Sequence, residues 1–124
     1  MKLYVDDLRK CPEGWELARN NTDAIRTIYW NSPLDEISID HDICVPFAGE
    51  LSDGVKRRLQ IGGETFQPVV YYIIAMAPEL RPKKIIMHTA NVHAGKLMVD
   101  LMRDAGIQAE YKRGDYNIDL GDDL

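Results

Sequence analysis

The stretch "KLYVDDLRKCPEGWELAR", residues 2–19, decides the fold. "KLYV" (2–5) is a short apolar run and reads as a strand. "DDLRKCPEG" (6–14) is polar and holds Pro12 and Gly14, so it reads as a loop. "WELAR" (15–19) reads as a second strand. Parallel neighbours usually need a crossover of a dozen or more residues, and this loop is too short for a helical one.

Outward from there, strands and helices alternate. "DAIRTIYW" (23–30) has helical spacing, with Thr22 as its expected N-cap and Asp23 in the first turn. "EISI" (36–39) is the third strand. "TFQPVVYYIIAMAP" (65–78) reads as a helix capped by Thr65 and ended by Pro78, with Phe66, Val69, Val70, Ile73 and Ala77 on one face. "KKIIMH" (83–88) is the fourth strand. "ANVHAGKLMVDLMRDAG" (90–106) is the clearest helix: Ala94, Leu97, Met98, Leu101, Met102 and Ala105 form an apolar stripe, and Gly106 closes it. "IQAEYK" (107–112) is the fifth strand.

This order predicts an α/β protein with a parallel sheet covered on both faces. The expected fold is a flavodoxin-like three-layer sandwich. Its five-stranded parallel sheet has the order 2-1-3-4-5, with the first helix lost or reduced. Residues 1–124 form one domain, with 45–65 as an insertion (a lid or a protruding hairpin) and 114–124 as an acidic tail.

Composition narrows the function. A hydrophobic fraction of 45% fits a globular chain. The net charge of -5, from 15 Lys+Arg against 20 Asp+Glu, disfavours tracking along duplex nucleic acid. It leaves room for a small phosphorylated ligand in a local pocket. Cys11 and Cys44 have no zinc-site spacing, no apolar run reaches membrane-spanning length, and the charged start lacks a signal peptide's apolar region. A cytoplasmic protein with reduced thiols, and no membrane partner, is expected.

In open α/β sheets ligands bind at the carboxyl ends of the strands. There the first strand delivers Asp6, Asp7 and Arg9; the third, Asp40, His41 and Asp42; the fourth, His88, Thr89 and Asn91; the fifth, Lys112 and Arg113. Clustered carboxylates repel, and a divalent cation removes that conflict. Oxygen-only ligands suit Mg²⁺, Mn²⁺ or Ca²⁺ more than zinc. Arg9, Thr89 and Lys112 suit phosphate oxygens. By alternation Asp40 and Asp42 share one side and His41 the other, so His41 is either a site residue or a structural histidine beneath the rim.

These residues resemble the receiver fold of response regulators. More closely, "VDDLRKCPEGW", "SIDHD" and "HTAN" are similar to the motifs of the cyclic-phosphate processing receiver-like domain, with Thr89 where that pattern has Ser. The resemblance implies an acidic pair for metal in Asp6 and Asp7, a strand-three aspartate in Asp40, a hydroxyl in Thr89 and a lysine in Lys112. It also implies processing of a small cyclic phosphate, on an RNA end or a cyclic nucleotide.

The expectation is therefore a phosphoesterase dependent on Mg²⁺ or Mn²⁺. Asp40, His41 and His88 are its candidate catalytic groups; Arg9, Thr89, Asn91 and Lys112 bind phosphate; Asp6, Asp7, Asp40 and Asp42 hold metal. The nucleophile is either water or Asp40. The alternative is a non-catalytic phosphoacceptor or a nucleotide- or phosphate-binding signalling module. The blandest reading is that "DHD" and "HTAN" only cap strand ends.

Overall fold

The computed structural model describes residues 1–41 and 65–114. Asp42, nearly all of the 45–65 insertion and the tail beyond Gly114 lie outside the described residues. The elements are β1 (Lys2–Val5), β2 (Glu16–Ala18), α1 (Asn21–Asn31), β3 (Glu36–Ile39), α2 (Gln67–Ala75), a single 3₁₀ turn (Pro78–Leu80), β4 (Ile85–Thr89), α3 (Val92–Asp104) and β5 (Ala109–Arg113). All strand pairs are parallel, and the order is β2-β1-β3-β4-β5. This is the expected flavodoxin-like sheet, and residues 6–15 join β1 to β2 without a helix.

Polar groups in the connection and just beyond β2 hold that helix-free link. The Asp6 carboxylate accepts the backbone N–H groups of Leu8 and Arg9 at 2.8 and 2.9 Å. The Arg19 guanidinium donates to the Asp6 and Arg9 carbonyls. Gly14 takes φ +85°, a value L side chains resist, and turns the chain into β2.

The sheet order fixes where the helices go. The steps β2→β3, β3→β4 and β4→β5 run the same way across the sheet, and right-handed crossovers place their helices on one face. Consistently, α1 touches α2 and α2 touches α3. Only β1→β2 steps the other way, and it is the link without a helix. Among the described residues, then, the helices cover one face rather than both.

Under them lies the core. Leu3 and Val5 of β1, Ile37 and Ile39 of β3, and Ile85 and Met87 of β4 pack against Ala24, Ile28, Val69, Ile73, Met98 and Met102. Alternation sends the residues between them to the helix-free face.

Local details correct parts of the sequence reading. Asn20, not Thr22, caps α1: its side chain accepts the Asp23 N–H at 2.8 Å. Phe66, not Thr65, is the N-cap of α2 and has no side-chain cap bond; the Thr65 hydroxyl accepts the Gln67 N–H at 3.2 Å in the turn before the helix, and Ala77 is exposed because α2 stops at Ala75. On α3, Leu97 is 54% exposed and Leu101 36%. The buried face is instead Ala94, Gly95, Met98, Val99 and Met102. A Cβ on Gly95 would sit 2.6 Å from the Tyr111 ring and 2.8 Å from the Thr89 methyl, so the helix meets the sheet at its glycine and this sets its rotation. Gly106, at φ +81°, closes α3 as expected: its N–H reaches the Arg103 carbonyl, and the Ile107 N–H that of Met102. No helix among the described residues is long and apolar enough to cross a membrane.

Candidate functional site

Alternation and register build the site. Tyr4, Ser38 and Ile86 form one cross-strand row on the helix-free face. One step toward the carboxyl edge, Asp6 and Asp40 follow β1 and β3, and His88 pairs in register with Lys112. The row nearest the edge therefore carries the charged and titratable groups.

Asp6, Asp7 and Asp40 bring one carboxylate oxygen each within 4.8 Å of one another. Arg9 lies among them, donating to Asp6 Oδ2 at 3.0 Å and reaching Asp40 Oδ2 at 3.1 Å. It is nearly buried. Its guanidinium clamps the two aspartates, whereas the sequence reading has it on phosphate oxygens. Burial works against its charge, but the Asp6 hydrogen bond and the Asp40 and Asp6 charges raise its pKa further. Gly114, at the end of β5, makes room: a Cβ there would sit 2.7 Å from Arg9 Nη2.

The two buried carboxylates are pushed apart. Burial would raise Asp6, but hydrogen bonds from His88, the Arg9 and Leu8 backbone and the Arg9 side chain hold it at about 2. Burial and the Asp6 charge push Asp40 up to about 6, against the His41 N–H and Arg9. Asp40 therefore carries the strain of the cluster.

His88 is tied at both ring nitrogens. Nε2 is 2.8 Å from Asp6 Oδ2, and Nδ1 is 2.6 Å from Ser38 Oγ. An ionised Asp6 can only accept, so in the neutral ring Nε2 carries the proton and Nδ1 accepts from the Ser38 hydroxyl; partner chemistry makes this assignment. Tyr4 stacks on the ring at 4.4 Å and 8°, fixing its plane. Sequence reasoning passed over Ser38 and Tyr4. The available signal was phase: Ser38 stands two residues before Asp40 in a strand and so shares its face.

His41 lies on the helix side of the rim. The Gln67 amide of α2 is 3.1 Å from its Nε2, and Tyr71 donates to the other end of that amide. Thr89 is 1% exposed, and its hydroxyl accepts the Asn91 N–H at 3.1 Å. Asn91 caps α3, accepting the Ala94 N–H at 3.1 Å. Lys112 is exposed and lines the same cavity as His88 and Ser38. The structure thus brings Asp6, Asp7, Asp40, Arg9, His88 and Lys112 to one face and edge.

The donor set fits a hard divalent cation. All three candidate ligands are carboxylates, and Arg9 offsets one of their three charges. Burial and the Asp6 charge raise Asp40, and a cation beside it would favour its ionised form.

No curated protein and no solved structure matches the chain. One family model does, over residues 1–104, and that span contains Asp6, Asp7, Arg9, Ser38, Asp40 and His88. The chain belongs to the family described as the cyclic-phosphate processing receiver domain.

Proposed function

We propose that the protein is a divalent-metal-dependent phosphoesterase that opens a small cyclic phosphate, with a cyclic nucleotide or an RNA end as substrate. The observation that carries the reading is the chain Asp6–His88–Ser38, which joins the acidic cluster to the cavity wall.

Asp6, Asp7 and Asp40 would hold Mg²⁺ or Mn²⁺, which when bound supplies charge to offset the phosphoryl oxygens. The chain's own groups handle the proton. As a water oxygen bonds to phosphorus, its proton passes to Ser38 Oγ while the Ser38 proton passes to His88 Nδ1. The Asp6 carboxylate stabilises the imidazolium. The ring P–O bond breaks on the far side of phosphorus, the departing oxygen takes a proton from solvent, and His88 gives the proton it accepted back to solvent, leaving His88 and Ser38 as they began. Lys112 faces the phosphate from the next strand. His41 acts from the helix side through its bond to Gln67. Thr89 and Asn91 shape the turn at the end of β4.

A second reading, a phosphoacceptor that does no further chemistry, draws on Asp40, whose raised carboxyl stands at the rim beside Arg9. Assays on a panel of 2′,3′-cyclic nucleotides with Mg²⁺, Mn²⁺ or EDTA separate the two. Metal-dependent ring opening is expected, with His88→Ala and Asp40→Asn each lowering kcat by about 10²-fold or more. Absent turnover with metal binding intact, and phosphorylation by a small phosphodonor that Asp40→Asn removes, would establish the acceptor instead.

A further inference from the structure

The cavity on the helix-free face is larger than a phosphate requires. It holds about 350 Å³, within the range of small-molecule sites. One end is His88 and Lys112; the floor is Tyr4, Ser38 and Ile86; the β1–β2 connection adds Trp15. Because no helix follows β1 before β2, the sheet face itself forms the floor.

The lining points to the ligand. The whole chain carries -5, yet Lys84, Lys112 and Arg113 outnumber Glu36 here. That reversal of sign suits an anion. Trp15 supplies what a bare anion does not need. It is half-buried, and Tyr4 meets it edge-on at 6.2 Å and 84°, which fixes its orientation. The exposed Lys2 ammonium sits 5.6 Å from its ring centroid, so the ring already holds a cation over one face. An amphipathic helix is a poor occupant, because the Lys84–Glu36 pair (3.3 Å) and Ser38 break any apolar surface.

We infer that this groove is a nucleoside subsite: the base of a nucleoside cyclic phosphate lies against Trp15 while its phosphate reaches His88 and Lys112. The inference rests on the reaction proposed above and adds to it the group that recognises the base, Trp15. A base on an aromatic platform is worth enough to dominate such a preference.

Trp15 and Trp30 are the two tryptophans, and Trp30 is exposed on α1, so Trp30→Phe leaves Trp15 as the sole reporter. The full chain is titrated in EDTA with a nucleoside 3′-monophosphate, ribose 5-phosphate and inorganic phosphate. The nucleotide should quench Trp15 and bind about tenfold or more tightly than ribose 5-phosphate. By calorimetry, Trp15→Ala should weaken nucleotide binding about tenfold and leave phosphate binding unchanged, while Trp15→Phe restores most of the loss. Equal affinity for nucleotide and ribose 5-phosphate, without quenching, overturns the subsite. The two ideas fail separately. Base-selective quenching without turnover keeps the subsite and sinks the esterase. Ring opening of a base-free cyclic phosphate as fast as of a nucleoside cyclic phosphate keeps the esterase and sinks the subsite.

Discussion

Ile85 and Ile86 are neighbours in β4, chemically identical, and they point to opposite faces of one sheet. Ile85 is 1% exposed beneath the helices, whereas Ile86 is half-buried in the floor of the groove. The same contrast runs through β1 and β3: Leu3, Val5, Ile37 and Ile39 build the core, and Tyr4 and Ser38 build the site. One set of strands thus serves stability and function on alternating residues. The dividing cause is topological: among the described residues, the link whose crossover would cover the second face, β1→β2, has no helix.

The matched pair offers the largest test. Ile85→Ala removes three methyl or methylene groups from a packed core and should cost about 2–5 kcal/mol. Ile86→Ala should cost about 1 kcal/mol, since water already reaches that side chain. Urea unfolding of both variants measures the difference. Equal losses would mean that something buries the second face as well, and the contrast between faces would collapse.

Asp40 sharpens the comparison from the site side. Its carboxyl, usually near 3.8, is raised to about 6 in the folded chain. An unfolded Asp40 ionises first, so the metal-free protein loses stability from this group as pH rises from 3.8 through 6; below 3.8 the loss is absent. Asp6 acts oppositely: held at about 2, it contributes stability above 3.8 that is lost as pH falls toward 2. Asp40→Asn keeps an acceptor for the His41 N–H and removes the buried charge. In EDTA at pH 7 it should raise stability by about 2 kcal/mol, with a smaller gain near pH 4. A destabilised Asn variant at pH 7 would show that the Arg9 ion pair outweighs burial and repulsion.

How far this division was legible depends on the kind of signal. Acidic and imidazole groups at three strand ends are costly to bury, so "VDD", "SIDHD" and "HTAN" stood out wherever the strands led. The missing crossover was also legible, from a loop too short to hold a helix. The coverage of one face among the described residues was not drawn: parallel strands read as buried on both sides, although the expected order and lost first helix, combined with crossover handedness, already imply a bare face. The α3 face was misread because hydrophobic periodicity weighs Leu97 and Leu101 heavily and gives Gly95 no weight. Close packing reverses that weighting, since the missing Cβ is what admits Tyr111. Ser38 was passed over because a serine inside a strand carries no charge to mark it. Its role appears only when His88, fifty residues on, closes against it at 2.6 Å.

Gly114 gives the smallest expected effect and the finest test of how the edge is held. Its added Cβ would meet Arg9 Nη2 at 2.7 Å and Cζ at 2.8 Å. An exposed arginine would swing aside at little cost. Arg9 cannot do so freely, because its guanidinium is pinned by Asp6 and Asp40 and is 8% exposed. Gly114→Ala should therefore cost about 1 kcal/mol through a small shift of the clamp. The same shift weakens a cation that offsets Asp6 and Asp40, so their mutual repulsion grows and a divalent ion would relieve more of it. Calorimetric titration with Mn²⁺ should show affinity in the alanine variant equal to or above that of the parent. Affinity that falls several-fold instead would mean that Arg9 aligns the carboxylates for the ion rather than competing with it for their charge.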